Sequence, residues 1–99
     1  MGDFSLYPKA ELDLEGIWHY TVSAWSVEQA IKYIDELDAT FKLLAGNPLI
    51  CSKRLEFQPP VCIYHFKRHL IVYVSLEVGI EIVRILHESS DIGTHLDEF

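Results

Sequence analysis

The fold turns on the stretch Gly79-Ile80-Glu81-Ile82-Val83-Arg84-Ile85-Leu86-His87. Its β-branched residues at 80, 82, 83 and 85 favour a strand, because branching at Cβ suits a pleated surface. Side chains alternate across a sheet, so Ile80, Ile82, Arg84 and Leu86 are expected on one face and Glu81, Val83, Ile85 and His87 on the other. Both faces are mostly apolar, which places this strand within a small sheet. Arg84 and His87 then stand where polar groups are costly to bury. Either Arg84 snorkels and His87 merely ends the strand, or the two carry function.

Working outward, Val61 to Lys67 and His69 to Ser75 lie too close together for anything but a hairpin around Lys67-Arg68, and Glu77-Val78-Gly79 turns the chain into the final strand. Pro59-Pro60 fixes an extended lead into that meander. Upstream, Ser26-Val27-Glu28-Gln29 is a capping box that starts a helix, whose apolar residues Val27, Ala30, Ile34, Leu37, Phe41 and Leu44 recur at steps of three and four. Gly46 is expected to end it in the left-handed conformation, with Asn47-Pro48 preventing its resumption. An earlier helix opens at Pro8 and carries Ala10, Leu14, Ile17, Trp18, Thr21 and Trp25 on one stripe. The two tryptophans read as core, since aromatic rings at helical spacing bury large areas. Asp3 to Tyr7 alternates as a short first strand. The order β-α-α-β-β-β indicates an α+β domain, a helical hairpin packed on one face of a small antiparallel sheet.

Ninety-nine residues make one domain, 1–99, with room for one layer of helix on one sheet. No apolar run is long enough to span a bilayer, so a soluble, cytoplasmic protein with no membrane partner is expected. Cys51 and Cys62 form no CxxC, and no paired histidines accompany them; neither metal nor cofactor is indicated. The formal net charge of −7 argues against coating a nucleic acid with the whole surface. Charge is uneven, however. Lys53, Arg54, Lys67 and Arg68 face only Glu56 between positions 47 and 69, with His65 and His69 alongside. These cations are either a solvated loop surface or a contact for a target. Val72, Val74, Val83 and Ile85 exceed what two short helices cover, so an apolar groove for a partner is expected there.

Over almost its entire length the sequence resembles the ParE toxins of bacterial toxin-antitoxin pairs, within the wider RelE/ParE fold group. The segments that carry the resemblance are Asp13-Leu14-Glu15-Gly16-Ile17-Trp18-His19-Tyr20-Thr21, Trp25 with Glu28-Gln29-Ala30, Tyr33-Ile34, Leu44-Ala45 with Asn47-Pro48, Arg68-His69-Leu70-Ile71-Val72-Tyr73, and the stretch 79–87 with Asp91. The resemblance implies a toxin that poisons DNA gyrase and is neutralised by a ParD-like antitoxin in a hetero-oligomer. On that reading Lys53, Arg54, Lys67, Arg68, His69, Arg84 and His87 would meet the target, while Val72, Val74, Val83 and Ile85 would meet the antitoxin. The alternatives are a RelE-like ribosome-dependent mRNA endonuclease, with Lys53, Arg54, Arg84 and His87 as its candidate catalytic groups, and a non-toxic antitoxin-binding module. One departure stands out. Where ParE toxins typically read Arg-Pro-Gly-Leu-Arg before the second strand, this chain has Gln58-Pro59-Pro60-Val61-Cys62, which implies an attenuated toxin.

Overall fold

A computed structural model describes residues 3–96. Residues 1, 2 and 97–99, which include the acids Asp97 and Glu98, lie outside the described residues. Strand β1 (Phe4–Leu6) leads into helices α1 (Pro8–Ala24) and α2 (Val27–Gly46), and strands β2 (Cys62–Phe66), β3 (His69–Ser75) and β4 (Ile80–His87) precede a short helix, α3 (Ile92–Leu96). The expected β-α-α-β-β-β order and α+β class are thus present. Spatial order in the sheet is β1-β4-β3-β2. The meander β2-β3-β4 is antiparallel, but β1 pairs parallel with β4, Phe4 opposite Ile80 and Leu6 opposite Ile82, so the sheet is mixed rather than wholly antiparallel. Helix α1 follows directly on β1, and the hairpin it forms with α2 must come back over the sheet on one face.

Local chemistry explains the helix ends. Pro8 occupies the first turn of α1, and the Ser26 hydroxyl accepts from the Gln29 amide at 3.1 Å to start α2. The end of α2 differs from expectation. Gly46 stays helical, and Asn47 closes the helix instead, its side-chain amide donating to the Leu43 carbonyl at 3.0 Å. A side-chain donor that satisfies an orphan carbonyl removes the need for a left-handed glycine.

The hairpin buries Ala10, Ile17, Leu37, Phe41 and Leu44 against Cys62, Ile71, Tyr73, Ile80, Ile82 and Ile85 of the sheet. Two members of the expected helical stripes are not core. Trp25 is 67% exposed and Val27 47%, because both sit at the tight connection between the helices. Trp18 is half-buried. Burial of Cys62 pushes its thiol above the usual range, and burial beside the Cys62 and Cys51 thiols does the same to the Tyr73 phenol.

The opposite sheet face carries a second cluster, Val61, Val72, Val83 and Leu86, which Leu96 of α3 completes with Tyr7, Phe57 and Ile92 at its margin. The simple alternation expected for β4 fails at one place. Val72 pairs with Arg84 and Tyr73 with Ile82, leaving Val83 as an extra residue, a β-bulge. Residues beyond it swap faces, so Ile85 joins Ile80 and Ile82 beneath the helices instead of lying with Val83. The β2–β3 turn is the expected Lys67-Arg68, with Lys67 at φ 51°. For a residue with a Cβ this left-handed conformation costs roughly 1–2 kcal/mol.

Candidate functional site

Helix α1 crosses the end of the sheet where β1 has stopped and β4 still has a free edge. Asp13 fills that edge. Its carboxylate accepts from Arg84 Nε at 2.8 Å, Arg84 Nη2 at 3.0 Å and the Ile85 amide at 2.9 Å. Both charged side chains are only 16% exposed. Arg84 is therefore committed to a bidentate pair that ties helix to strand, and it shares a cleft with Val83, His95 and Leu96 on the α3 side. Asp13→Ala would leave the guanidinium and a strand amide without their acceptor. The expected loss is about 2–3 kcal/mol in urea unfolding. A loss below 1 kcal/mol would show that the pair is not structural.

His87 belongs to the other side. It shares a cleft with Ile17, Tyr20, Arg68, His69 and Ile85, and its ring meets that of its cross-strand partner His69, centroids 5.7 Å apart and nearly perpendicular. The bulge precedes Arg84, so it does not bring Arg84 and His87 together. His69 in turn faces Tyr33 of α2, with the phenol oxygen 2.6 Å from Nδ1. Burial pushes the Tyr33 phenol above its usual range, and burial next to His87 pushes the His69 imidazole below its own. Both effects favour the neutral pair, in which the phenol donates to Nδ1 and the proton of His69 sits on Nε2. At His87 the Ser89 amide donates to Nδ1 at 3.2 Å, and the Ser89 hydroxyl lies 2.8 Å from the same nitrogen. The proton of a neutral His87 is thus also on Nε2.

The depressed affinity of His69 for protons makes stability depend on pH. The unfolded chain takes up a proton near the ordinary imidazole value before the folded chain does. The stabilisation is complete above that value and is lost as pH falls through the lower folded value. Unfolding free energy should therefore drop as pH falls below the ordinary imidazole value of 6.5. Chemical denaturation of His69→Gln across this range should give a flatter curve, whereas an unchanged slope would assign the effect to other groups.

The remaining basic residues divide. Lys67 reaches the Glu36 carboxylate and lies 5.8 Å from the Tyr33 ring centroid, and its pairing holds Glu36 below the usual carboxylate range. Arg54 is held by Glu56 at 2.8 Å, and His65 stands 3.1 Å from Glu88. Lys53 and Arg68 are exposed, and neither has a side-chain ion pair among the described residues. Lys67, Arg68, His69 and His87 thus converge at one end of the molecule, whereas Lys53 and Arg54 lie on the loop before β2 and Arg84 on the far side of β4.

The expected apolar groove is largely filled. Val72 and Val83 are buried in the second cluster, Ile85 lies beneath the helices, and Val74 alone of the four is half-exposed. Sequence reasoning missed α3, which fills much of it. Its signal was Asp91, whose carboxylate accepts from the Gly93 amide at 3.1 Å and the Thr94 hydroxyl at 2.9 Å. Tyr33 was missed as a site residue because its partner is 36 positions away. Among the described residues no group of three His, Cys, Asp or Glu is gathered as a metal site would need, and no helix is long and apolar enough to cross a membrane.

A helical hairpin on a four-stranded mixed sheet, with basic and imidazole groups gathered at one end, agrees with the fold that the resemblance to the RelE/ParE group implies. The family model described as "ParE toxin of type II toxin-antitoxin system, parDE" matches residues 4–92, and the chain belongs to that family. It is similar to Toxin ParE1 of Caulobacter vibrioides, with 32% identity over 96 residues covering 97% of this chain and 99% of the relative. It is also similar to Toxin ParE1 of Mycobacterium tuberculosis (strain H37Rv), with 34% identity over 94 residues covering 94% and 96%. Among solved structures, "Chromosomal ParDE TA system from P. aeruginosa" shares the fold at a TM-score of 0.74 and 21% identity, over 88% of this chain and 96% of that one. The protein is accordingly a ParE-type toxin of a type II toxin-antitoxin system.

Proposed function

We propose that this toxin acts on DNA gyrase and is held inactive by a ParD-like antitoxin in a hetero-oligomeric complex. The observation that carries the choice of target is the Arg84–Asp13 pair. An mRNA endonuclease of the RelE kind needs cations free to stabilise a phosphorane, and here Arg84 is paired with the Asp13 carboxylate and borders a different cleft from His87. It is Arg84 itself that stands apart, since Asp13 also borders the cleft of His87; Lys53 and Arg54 lie on a separate loop, and Arg54 is paired with Glu56. The gyrase reading requires no such constellation. It uses the exposed cations Lys53 and Arg68 and the basic end formed by Lys67, His69 and His87 as a contact surface.

The full chain, expressed from a tightly repressed promoter, should arrest growth with gyrase-linked DNA breaks while messenger RNA stays intact. Ribosome-dependent cleavage without gyrase inhibition would establish the nuclease instead. Normal growth with antitoxin binding would establish a non-toxic module. The antitoxin is proposed to touch Val74, the member of the expected apolar set that a partner can reach.

Attenuation is proposed from Gln58. It is exposed, so Gln58→Arg adds a guanidinium without burying charge and should increase growth inhibition at equal expression. Cys62 is a different case. At 1% exposure, an arginine there would be driven into the core, so the two positions cannot be treated as a pair.

A further inference from the structure

Two clefts meet at Tyr20, Arg68 and His69 on the helix side of the β2–β3 turn. One, of about 330 Å³, continues past Trp25 and Tyr33; the other, of about 450 Å³, continues past Ile85 to His87. Each volume suits a small organic ligand. The walls combine two features. Tyr20 and Trp25 are each 67% exposed and offer bare aromatic faces. Arg68 offers a guanidinium with no side-chain ion pair among the described residues, and His69 and His87 carry their protons on Nε2.

Two of the acids nearby are already paired with cations, Asp13 with Arg84 and Glu36 with Lys67, so they oppose an incoming anion less than the net charge suggests. Lys67 holds a left-handed conformation that glycine would adopt without strain, and the turn so formed sets Lys67 and Arg68 side by side at the mouth.

We propose that this groove binds a nucleotide, its base lying against Tyr20 and Trp25 and its phosphate gripped by Arg68 with the imidazole N–H groups behind. Aromatic faces stack on any base, and the fork of a guanidinium matches phosphate oxygens. An acidic peptide fits less well, because it would need several free cations in a row and the groove provides one. The formal charge of −7 excludes a long polyanion laid over the surface but not one nucleotide held in a cleft. The nucleotide could be free or part of a single strand. The proposal does not depend on gyrase being the target.

Calorimetric titration of the full chain with ATP, with an oligothymidylate of about eight nucleotides and with octaglutamate tests the proposal and separates the sources. Saturable binding of ATP that the oligothymidylate does not exceed supports a free nucleotide, and tighter binding of the oligothymidylate supports a strand. In either case Arg68→Ala should weaken binding about tenfold and Trp25→Ala about fivefold, with folding verified by circular dichroism and Lys42→Ala unchanged. Both substituted residues are exposed, so loss of fold is not expected. Absence of saturable binding by either nucleotide probe, binding by octaglutamate alone, or equal affinity in the folded Arg68 and Trp25 variants would overturn it.

Discussion

Replacing Gly79 by alanine should cost about 3 kcal/mol or more, out of all proportion to one methyl group. Gly79 adopts φ +89°, and a Cβ there would come within 2.0 Å of the Asp3 carbonyl oxygen. That oxygen is backbone, and it accepts the hydrogen bond from Ile80 that registers β1 on β4. The clash cannot be relieved by turning a side chain; β1 must move. Hydrogen exchange should show the effect locally, with the amides that join β1 to β4 losing protection before those of β3. Stability within 1 kcal/mol of the parent would mean that β1 contributes little to the fold.

Phe41→Ala should cost about 3–5 kcal/mol, and so lower the melting temperature by roughly 12 °C or more. Phe41 is 2% exposed, and its ring packs tilted against Phe4 of β1 at a centroid distance of 5.4 Å. It therefore holds the same strand from the helix side that Gly79 holds from the turn. Trp18, read from its spacing as an equal member of the core, is half-buried, so Trp18→Ala should lose clearly less. Equal losses from the two truncations would restore the simple stripe.

Signals contained within a few residues were legible. The Ser26 cap, Pro8 at the start of α1 and the two-residue turn at Lys67-Arg68 each depend on chemistry between near neighbours, and each is present. Features that depend on distant pairing were not. Nothing in Phe4-Ser5-Leu6 says that its partner is β4 or that they run parallel. The bulge at Val83 was hidden because an unbroken apolar strand reads the same in either frame, and only the partner strand reveals which residue is extra. The same limit affected the site. His69 and His87 were named from their types, but their ring contact and the Tyr33 hydroxyl come from cross-strand pairing and from α2 packing over β3. Arg84 was named as a target-binding residue because an arginine in a strand is conspicuous, and its partner Asp13 lies 71 positions earlier.

The position of β4 has a consequence for synthesis. It is the last of the four strands to leave the ribosome, yet it lies between β1 and β3 and is the strand with which β1 pairs. Until it emerges, β1 has no partner, the Asp13 carboxylate has no guanidinium, and the helical hairpin has no Ile80, Ile82 or Ile85 to cover. A nascent or prematurely terminated chain that stops before residue 80 therefore lacks the middle of its own sheet, and cannot display His69 against His87. For a toxin, folding that waits on β4 means that a chain stopped before residue 80 has no assembled sheet on which to present its site.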